Sequence, residues 1–125
     1  MKATIASLIF LLLSLAVSSQ TYKYIGIEEG LSNQKIYRIQ KDARGYMWFL
    51  THVGIDRYNG KEIKHYKLKE GDRELDPLLN INWTYLDKTG TLLVTGKQGR
   101  IFRYDSGHDR FVQIYSMYNY WNKDY

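Results

Sequence analysis

The side chains that could carry out acid–base, nucleophilic or metal chemistry are few in this sequence and lie far apart. The three histidines are His52, His65 and His108, the chain contains no cysteine, and no pair of carboxylates stands at the spacing of a metal site. No Ser-His-Asp order and no nucleophile elbow occurs. The sequence therefore predicts no enzyme active site, no metal centre and no bound cofactor.

Three aspartates lie in short polar segments, where their ordinary role is structural. Asp42, Asp87 and Asp105 are each followed by a glycine within three residues. An aspartate at such a position accepts hydrogen bonds from the backbone amides that follow it and thereby caps a turn. We predict turns at these three positions and no catalytic carboxylates.

An aromatic run near the C-terminus, from Tyr115 to Asn122, is the stretch that most resembles a binding surface. Exposed tyrosine and tryptophan rings offer apolar faces on which sugar rings stack. The candidate ligand-binding residues are therefore Tyr118, Tyr120 and Trp121. The simpler interpretation is that this run is the first strand of a further structural unit whose partner strands are missing.

Charge and composition narrow the class of protein. The net charge of +5 comes from 18 basic residues that are spread among 13 acidic ones. This pattern is typical of a solvated surface, so we predict no nucleic-acid partner. Twelve tyrosines and three tryptophans against a single proline favour β-strands.

Residues 42–60, DARGYMWFLTHVGIDRYNG, contain closely spaced turn signals. Asp42 to Gly45 predicts one turn, and Asn59-Gly60 is a strong hairpin signal. The run around Trp48 is almost wholly apolar, so its strand should be covered on both faces. With the flanking segments we predict four short antiparallel strands, namely Gln34 to Gln40, Tyr46 to Leu50, Ile55 to Tyr58 and Glu62 to Tyr66.

The same pattern returns 45 residues later. Asp87-Lys88-Thr89-Gly90 corresponds to Asp42-Ala43-Arg44-Gly45. The other corresponding positions are Trp48 and Leu93, Gly54 and Gly99 and, after an insertion of one residue, Arg57-Tyr58 and Arg103-Tyr104. A four-stranded repeat of about 40–50 residues is typical of the blades of a β-propeller.

The second unit should contain strands at Leu92 to Thr95 and Phe111 to Tyr115. Lys69 to Glu74, between the two units, is charged and rich in turn formers, so we predict a connection without strands. Pro77 follows it, where no backbone N–H is needed for a ladder.

The N-terminus has the features of a signal peptide. Lys2 precedes an apolar stretch from Ile5 to Val17, and small residues from Ala16 to Ser19 suit cleavage. We predict that the chain is exported to the periplasm or secreted. A retained membrane anchor is the alternative, although a spanning helix needs about 20 apolar residues. No other segment is apolar enough, so the mature chain should not insert into a membrane.

The first unit resembles the two-component regulator propeller repeat family. The residues that carry the resemblance are Gly30-Leu31-Ser32-Asn33, Ile39 to Asp42, Gly45 to Phe49, Thr51, Gly54-Ile55, Arg57 to Gly60 and Tyr66. The similarity runs from about Tyr22 to Tyr115 and is weaker in the second unit. This sequence departs from the family pattern at Leu50, where a glycine is usual, and at Leu93, where the tryptophan is absent.

The resemblance implies an all-β fold of antiparallel four-stranded blades, about two blades of an incomplete propeller, after a signal-peptide helix. It implies the N-terminal part of the periplasmic sensor region of a Bacteroidetes hybrid two-component system, which binds a poly- or oligosaccharide and signals through a phosphorelay. Because the family's kinase and receiver domains are absent from the sequence given, we expect no enzymatic activity. Tyr22 to Ile25 should be an unpaired strand that normally completes the last blade.

The predicted organisation is a signal peptide at 1–19, an N-terminal strand and first repeat at 20–70, and a second repeat with the start of another strand at 71–125. Two blades cannot close a ring, because each leaves one inner face and one strand edge uncovered, and this predicts self-association and poor stability of the isolated chain. The alternative function is a secreted carbohydrate-binding or adhesion module that self-assembles from two-blade units.

Overall fold

A computed structural model describes residues 1–5, 20–77 and 81–117 of the chain. Most of the predicted signal peptide lies outside these residues, so export stays a prediction. Within the described ranges no helix is long and apolar enough to cross a membrane. The regular secondary structure of the described residues is almost entirely β, as the resemblance implied.

The first four strands form one antiparallel sheet in chain order. They are β1 (Ile36–Lys41), β2 (Met47–Thr51), β3 (Gly54–Tyr58) and β4 (Ile63–Tyr66). Each connection is a short turn, and Asp42 caps the first by accepting hydrogen bonds from the amides of Arg44 at 2.9 Å and Tyr46 at 3.0 Å. The four strands predicted from the sequence are therefore confirmed.

The segment from Lys69 to Glu74 was predicted to lack strands, and this prediction is wrong. It forms a small hairpin of β5 (Lys69–Glu70) and β6 (Arg73–Glu74). Gly71-Asp72 is a two-residue hairpin turn, and the opposed residues carry opposite charges, Lys69 facing Glu74 and Glu70 facing Arg73. Charge complementarity across the strands therefore replaces the apolar alternation on which the sequence prediction relied.

The remaining strands form a second four-stranded antiparallel sheet, again in chain order. They are β7 (Trp83–Leu86), β8 (Leu92–Thr95), β9 (Ile101–Asp105) and β10 (Arg110–Tyr115). Asp87 caps the β7–β8 turn as Asp42 caps its counterpart, with the amides of Thr89 at 2.8 Å and Thr91 at 3.0 Å.

Strand register confirms that the two sheets are copies of one pattern. Trp48 lies opposite Arg57 in the first sheet, and Leu93 lies opposite Arg103 in the second. The inserted residue falls between β8 and β9, where a loop containing the 3₁₀ turn Lys97–Gly99 replaces the two-residue turn between β2 and β3. The insertion leaves the pairing on either side unchanged.

The two sheets pack face to face and share one apolar core. The core residues are Trp48, Leu50, Ile55, Tyr66, Leu68, Leu75, Leu92, Val94, Phe102, Tyr104 and Phe111. Strand β2 is covered on both faces, as predicted, because Trp48 is 0 % exposed and Phe49, which points the other way, is 5 % exposed. Leu50 is also buried in this core, so the larger side chain is accommodated where the family usually has glycine.

Equivalent positions of the two sheets point in the same direction along the stack. Trp48 of the first sheet points towards the second sheet. Its counterpart Leu93 lies on the face of the second sheet opposite the buried Val94, so it points in the same direction, away from the first sheet. Such head-to-tail packing joins two different surfaces and is not self-complementary. It leaves an outer face on the second sheet, where Tyr85, Val112 and Ile114 are exposed.

The segment before β1 covers the opposite face of the first sheet. Residues 21–25 form no strand, and Tyr22 and Tyr24 are exposed. This is expected for a segment whose partner strands would belong to another blade. Further on, Ser32 donates hydrogen bonds from its amide and its hydroxyl to Oδ2 of the buried Asp56, each at 2.8 Å. These bonds position Leu31, which is buried.

Candidate functional site

The side chains predicted to bind ligand, Tyr118, Tyr120 and Trp121, lie outside the described residues, so that prediction is neither supported nor contradicted. The turn aspartates are where the sequence placed them. Asp105 accepts a hydrogen bond from the amide of Gly107 at 3.0 Å, as Asp42 and Asp87 do from their own turns.

The three histidines lie in separate places and have different partners. His52 is hydrogen-bonded to Tyr37, His65 to Asp56 at 2.7 Å, and His108 to Asp105 at 2.7 Å. Among the described residues no group of three or more histidine, cysteine and acidic side chains could hold a metal ion. The geometry therefore directs attention to the contacts between the sheets.

The centre of contact between the sheets is a cluster of four aromatic rings, two from each sheet. Trp48 and Tyr66 come from the first sheet, and Tyr104 and Phe111 from the second. Every pair among the four is in contact, with centroid distances from 4.7 Å for Trp48 and Tyr104 to 5.9 Å for Tyr66 and Tyr104. All six pairs are edge-on or tilted, which suits the ring quadrupoles.

A polar cluster around Asp109 lies at the edge of these rings. Oδ1 of Asp109 accepts hydrogen bonds from the hydroxyls of Tyr66 at 2.5 Å and Tyr104 at 2.7 Å, and from Arg57 at 3.0 Å. Oδ2 accepts one from Lys64. One carboxylate of the second sheet thus binds three side chains of the first. Together with the four rings, Arg57, Lys64 and Asp109 form what we call the inter-sheet junction.

Burial and hydrogen bonding shift the ionisation of the junction. Burial alone would raise the pKa of Asp109, but hydrogen bonds from Lys64, Tyr66 and Tyr104 and the charge of Arg57 hold it well below its usual value. Burial, helped by the hydrogen bond to Asp109, raises the pKa of Tyr104 to about 12 and that of Tyr66 well above its ordinary value. The junction therefore favours an ionised Asp109 beside neutral tyrosines.

The missing tryptophan of the second unit changes the pairing of the arginine opposite it. In the first sheet the indole N–H of Trp48 donates to Oδ2 of Asp42 at 2.8 Å, and Arg57 reaches across to Asp109. In the second sheet, where leucine replaces the tryptophan, Arg103 donates to Oδ2 of its own turn aspartate, Asp87, at 2.8 Å. Trp48 therefore leaves Arg57 available for the neighbouring sheet.

The sheets also touch where the turns after their first strands meet. The amide of Ala43 donates a hydrogen bond to the carbonyl of Gly90 at 3.1 Å. Gly90 has φ of 73°, and a Cβ added there would overlap the Cβ of Ala43. The repeated Asp-x-x-Gly turn thus supplies a close contact between units as well as a reversal within each unit.

A cleft opens between the first strands of the two sheets, which contact each other. Its volume is about 510 Å³, and it is lined by Tyr37, Arg38, Leu50, Ile81, Asn82 and Trp83. Arg38 of β1 lies over the ring of Trp83 of β7, with its Cζ 3.2 Å from the ring centroid. So short a distance places the guanidinium face against the ring. We call this feature the Arg38 cleft.

The Arg38 cleft combines an unpaired cation with exposed aromatic surface. Arg38 is half-buried, yet its side chain donates no hydrogen bond to any of the described residues. Tyr37 and Trp83 remain 54 % and 46 % exposed. An arginine has five N–H donors in the plane of its guanidinium, so a stacked arginine keeps them available for an acceptor. The cleft can therefore hold a ring and an acceptor group together.

None of Arg38, Trp83 and Asp109 was predicted from the sequence to be functional. Their partners are distant in sequence, since Trp83 lies 45 residues after Arg38, and no strand periodicity reports such pairs. The one available signal was that Arg38 and Trp83 are separated by the length of one repeat, 45 residues. This separation places the two residues at equivalent positions of successive units.

Residues 30–52 match the family model described as two component regulator propeller. A search of curated proteins gives no match to the chain. The matched segment includes Ser32 and strands β1 and β2, on which Tyr37, Arg38 and Trp48 lie. The match confirms the resemblance seen in the sequence over the first two strands of the first sheet.

Proposed function

We propose that the chain is the N-terminal part of the extracytoplasmic ligand-sensing propeller of a hybrid two-component signalling protein, and that the sensed ligand is a poly- or oligosaccharide. The observation that carries the proposal is the stack of two equivalent sheets, of which the first contains the regulator propeller repeat. Their head-to-tail packing is the arrangement that successive blades of one propeller require.

A binding role suits the described residues better than a catalytic one. The carboxylates of the turns are occupied by backbone amides, and the ionised Asp109 is held by three side chains of the neighbouring sheet. The open surface of the Arg38 cleft is aromatic and polar, which is the composition on which sugar rings stack and hydrogen-bond. We expect signal output to come from kinase and receiver domains elsewhere in the system.

A second function is favoured by one specific observation, the exposed apolar outer face of the second sheet. Tyr85, on the edge strand β7, is 52 % exposed, and Val112 and Ile114, on the opposite edge strand β10, are 37 % and 54 % exposed. Apolar surface of this kind marks an interaction site. The chain would then be a secreted carbohydrate-binding or adhesion module, and several two-blade units would assemble into a ring.

Two measurements separate these functions. Sequencing the genomic reading frame on both sides of the chain supports the sensor if further repeats, a membrane helix and a kinase follow in frame. Unrelated flanking sequence would contradict the sensor and favour the assembling module. Light scattering on the purified chain then tests the module, which requires a closed oligomer of defined mass and is contradicted by a monomer or by polydisperse aggregate.

A further inference from the structure

We infer that the Arg38 cleft binds an acidic sugar, in which a carboxylate or sulfate is held by Arg38 while the sugar ring stacks on the exposed aromatic side chains. The choice of a sugar rests on the proposed function. The requirement for an anionic group rests on the surroundings of Arg38 alone.

The guanidinium of Arg38 has no anionic partner among the described residues. Arg38 is half-buried between the sheets, and its N–H donors meet no acceptor among the described residues. By contrast, Arg57, Arg73 and Arg103 each have a carboxylate within 3.0 Å. A guanidinium recognises planar anionic groups through two parallel hydrogen bonds, which makes a carboxylate or sulfate the matching ligand group.

The ring of Trp83 orients the side chain of Arg38. Its contact with Trp83 at 3.2 Å fixes the plane of the guanidinium, so a ligand does not have to order a free side chain. Strand β1 carries Arg38 and strand β7 carries Trp83, so both partners are held by the sheets and not by a loop. The site is therefore pre-organised by the packing of the two units.

Tyr37 and Asn82 also line the cleft and are suited to contact the ring of the ligand. Tyr37 stands next to Arg38 on β1, is 54 % exposed and is fixed by its hydrogen bond to His52. Asn82, at the start of the second unit, is exposed, and its amide can donate to or accept from a hydroxyl. An aromatic face and a neutral amide beside a cation are suited to a ring that carries hydroxyls and one acidic group.

The test compares matched sugars with and without the acidic group. Calorimetry on the full 125-residue chain uses trigalacturonate against its methyl ester, and a sulfated chondroitin disaccharide against its unsulfated form. We expect at least one acidic member to bind about tenfold or more tightly than its neutral partner at low salt, with weaker binding as salt is added. Equal affinities within both pairs, or no binding by any of the four, would overturn the inference.

Variants locate the site. Arg38→Gln should abolish the preference for the acidic sugar, whereas Arg44→Gln, which removes an equal charge from the exposed β1–β2 turn, should leave it unchanged. If circular dichroism shows that Arg38→Gln is unfolded, Arg38→Lys decides the matter. Lysine keeps the charge without the planar fork, so weaker acid binding is expected, and unchanged affinity would contradict the inference.

The outcomes for this site and for the proposed function are separable. A reading frame that lacks a kinase would contradict the sensor and would leave selective binding of an acidic sugar in place. Conversely, absence of binding would overturn the role of Arg38 and would leave the propeller repeat and the stacked sheets as they are.

Discussion

Asp109, in the last hairpin of the second sheet, accepts a hydrogen bond at 3.0 Å from Arg57 of the first sheet. The same carboxylate accepts hydrogen bonds from Tyr66 of the first sheet and Tyr104 of the second, and these two rings lie in the aromatic core. The polar and apolar parts of the inter-sheet junction are therefore linked through two tyrosines, and disruption of the carboxylate should weaken both.

Replacement of this carboxylate tests the contribution of the junction to stability. Asp109→Asn leaves the guanidinium of Arg57 without its anionic partner. The asparagine side chain has nearly the same shape as the aspartate that it replaces. We expect a loss of about 1–3 kcal/mol in the free energy of unfolding, less than for a fully buried ion pair because the Asp109 side chain is 35 % exposed. The measurement is the midpoint of urea unfolding, and an unfolded variant in the absence of urea would be the extreme form of the expected result.

Asp72→Asn is the matched control. Asp72 is exposed in the turn of the β5–β6 hairpin, so the same change of charge should leave the urea midpoint within experimental error. Equal effects of the two substitutions would show that net charge, and not the junction, determines the result.

Alkaline pH should weaken the junction through its tyrosines. The folded chain raises the pKa of Tyr104 from 10.0 to about 12 through burial and the hydrogen bond to Asp109. Because the raised pKa belongs to the folded state, the stabilisation is fully present below pH 10 and is lost as the pH rises from 10 towards 12. Urea midpoints should therefore fall across this range, and phenolate absorbance should show a fraction of late-titrating tyrosine.

Tyr104→Phe is the control for this pH dependence. It removes one of the two junction hydroxyls whose pKa is raised, so the decline in the urea midpoint above pH 10 should become shallower. A decline as steep as that of the parent chain would assign the effect to other groups.

The contact between the turns can be tested with two glycine substitutions. Gly90→Ala places a Cβ on the Cβ of Ala43, whereas Gly45→Ala meets nothing within 4 Å. Both residues have positive φ, at 73° and 86°, so the two variants share the cost of a left-handed alanine. We expect Gly90→Ala to be less stable than Gly45→Ala by about 1 kcal/mol or more, because of overpacking between the sheets.

Urea unfolding of both glycine variants gives the comparison directly. Equal losses would mean that the two turns are not in contact in solution. A larger loss for Gly45→Ala would contradict the placement of the first turn at an open surface.

The outer face of the second sheet should make the isolated chain self-associate and leave the monomer poorly stable. Ile114 is 54 % exposed on β10, which is also an edge strand of its sheet. Ile114→Lys should lower the average mass measured by light scattering at a given concentration, while Val53→Lys, in the exposed β2–β3 turn, should not. A parent chain that stays monomeric and melts cooperatively and reversibly would contradict this prediction.

Local sequence signals accounted for most of the fold. Asp42 and Asp87 cap their turns, and the alternation along β8 fixes which of its side chains are buried. These features depend on residues within a few positions of one another, which is the range over which turn chemistry and strand period are informative. The β5–β6 hairpin was missed because cross-strand charge pairs carry no hydrophobic period.

The candidate site depended on distances that the sequence does not contain. Asp109 binds Arg57 across 52 positions, and Arg38 meets Trp83 across 45. The repeat length indicated that neighbouring units meet, but the side chains in contact are set by how the sheets stack. Trp48 illustrates the division, since its burial was predictable whereas its release of Arg57 for the other sheet was not.

The most direct test of the account is the distance between the rings of Trp48 and Tyr104, because one comes from each repeat and the centroids lie 4.7 Å apart. A nuclear Overhauser spectrum of the folded chain should show cross-peaks between the protons of these two rings, and between Trp48 and Phe111. If the backbone chemical shifts of both repeats are typical of β-strands but no cross-peak appears between these rings, the stacking of the two sheets as neighbouring blades is contradicted.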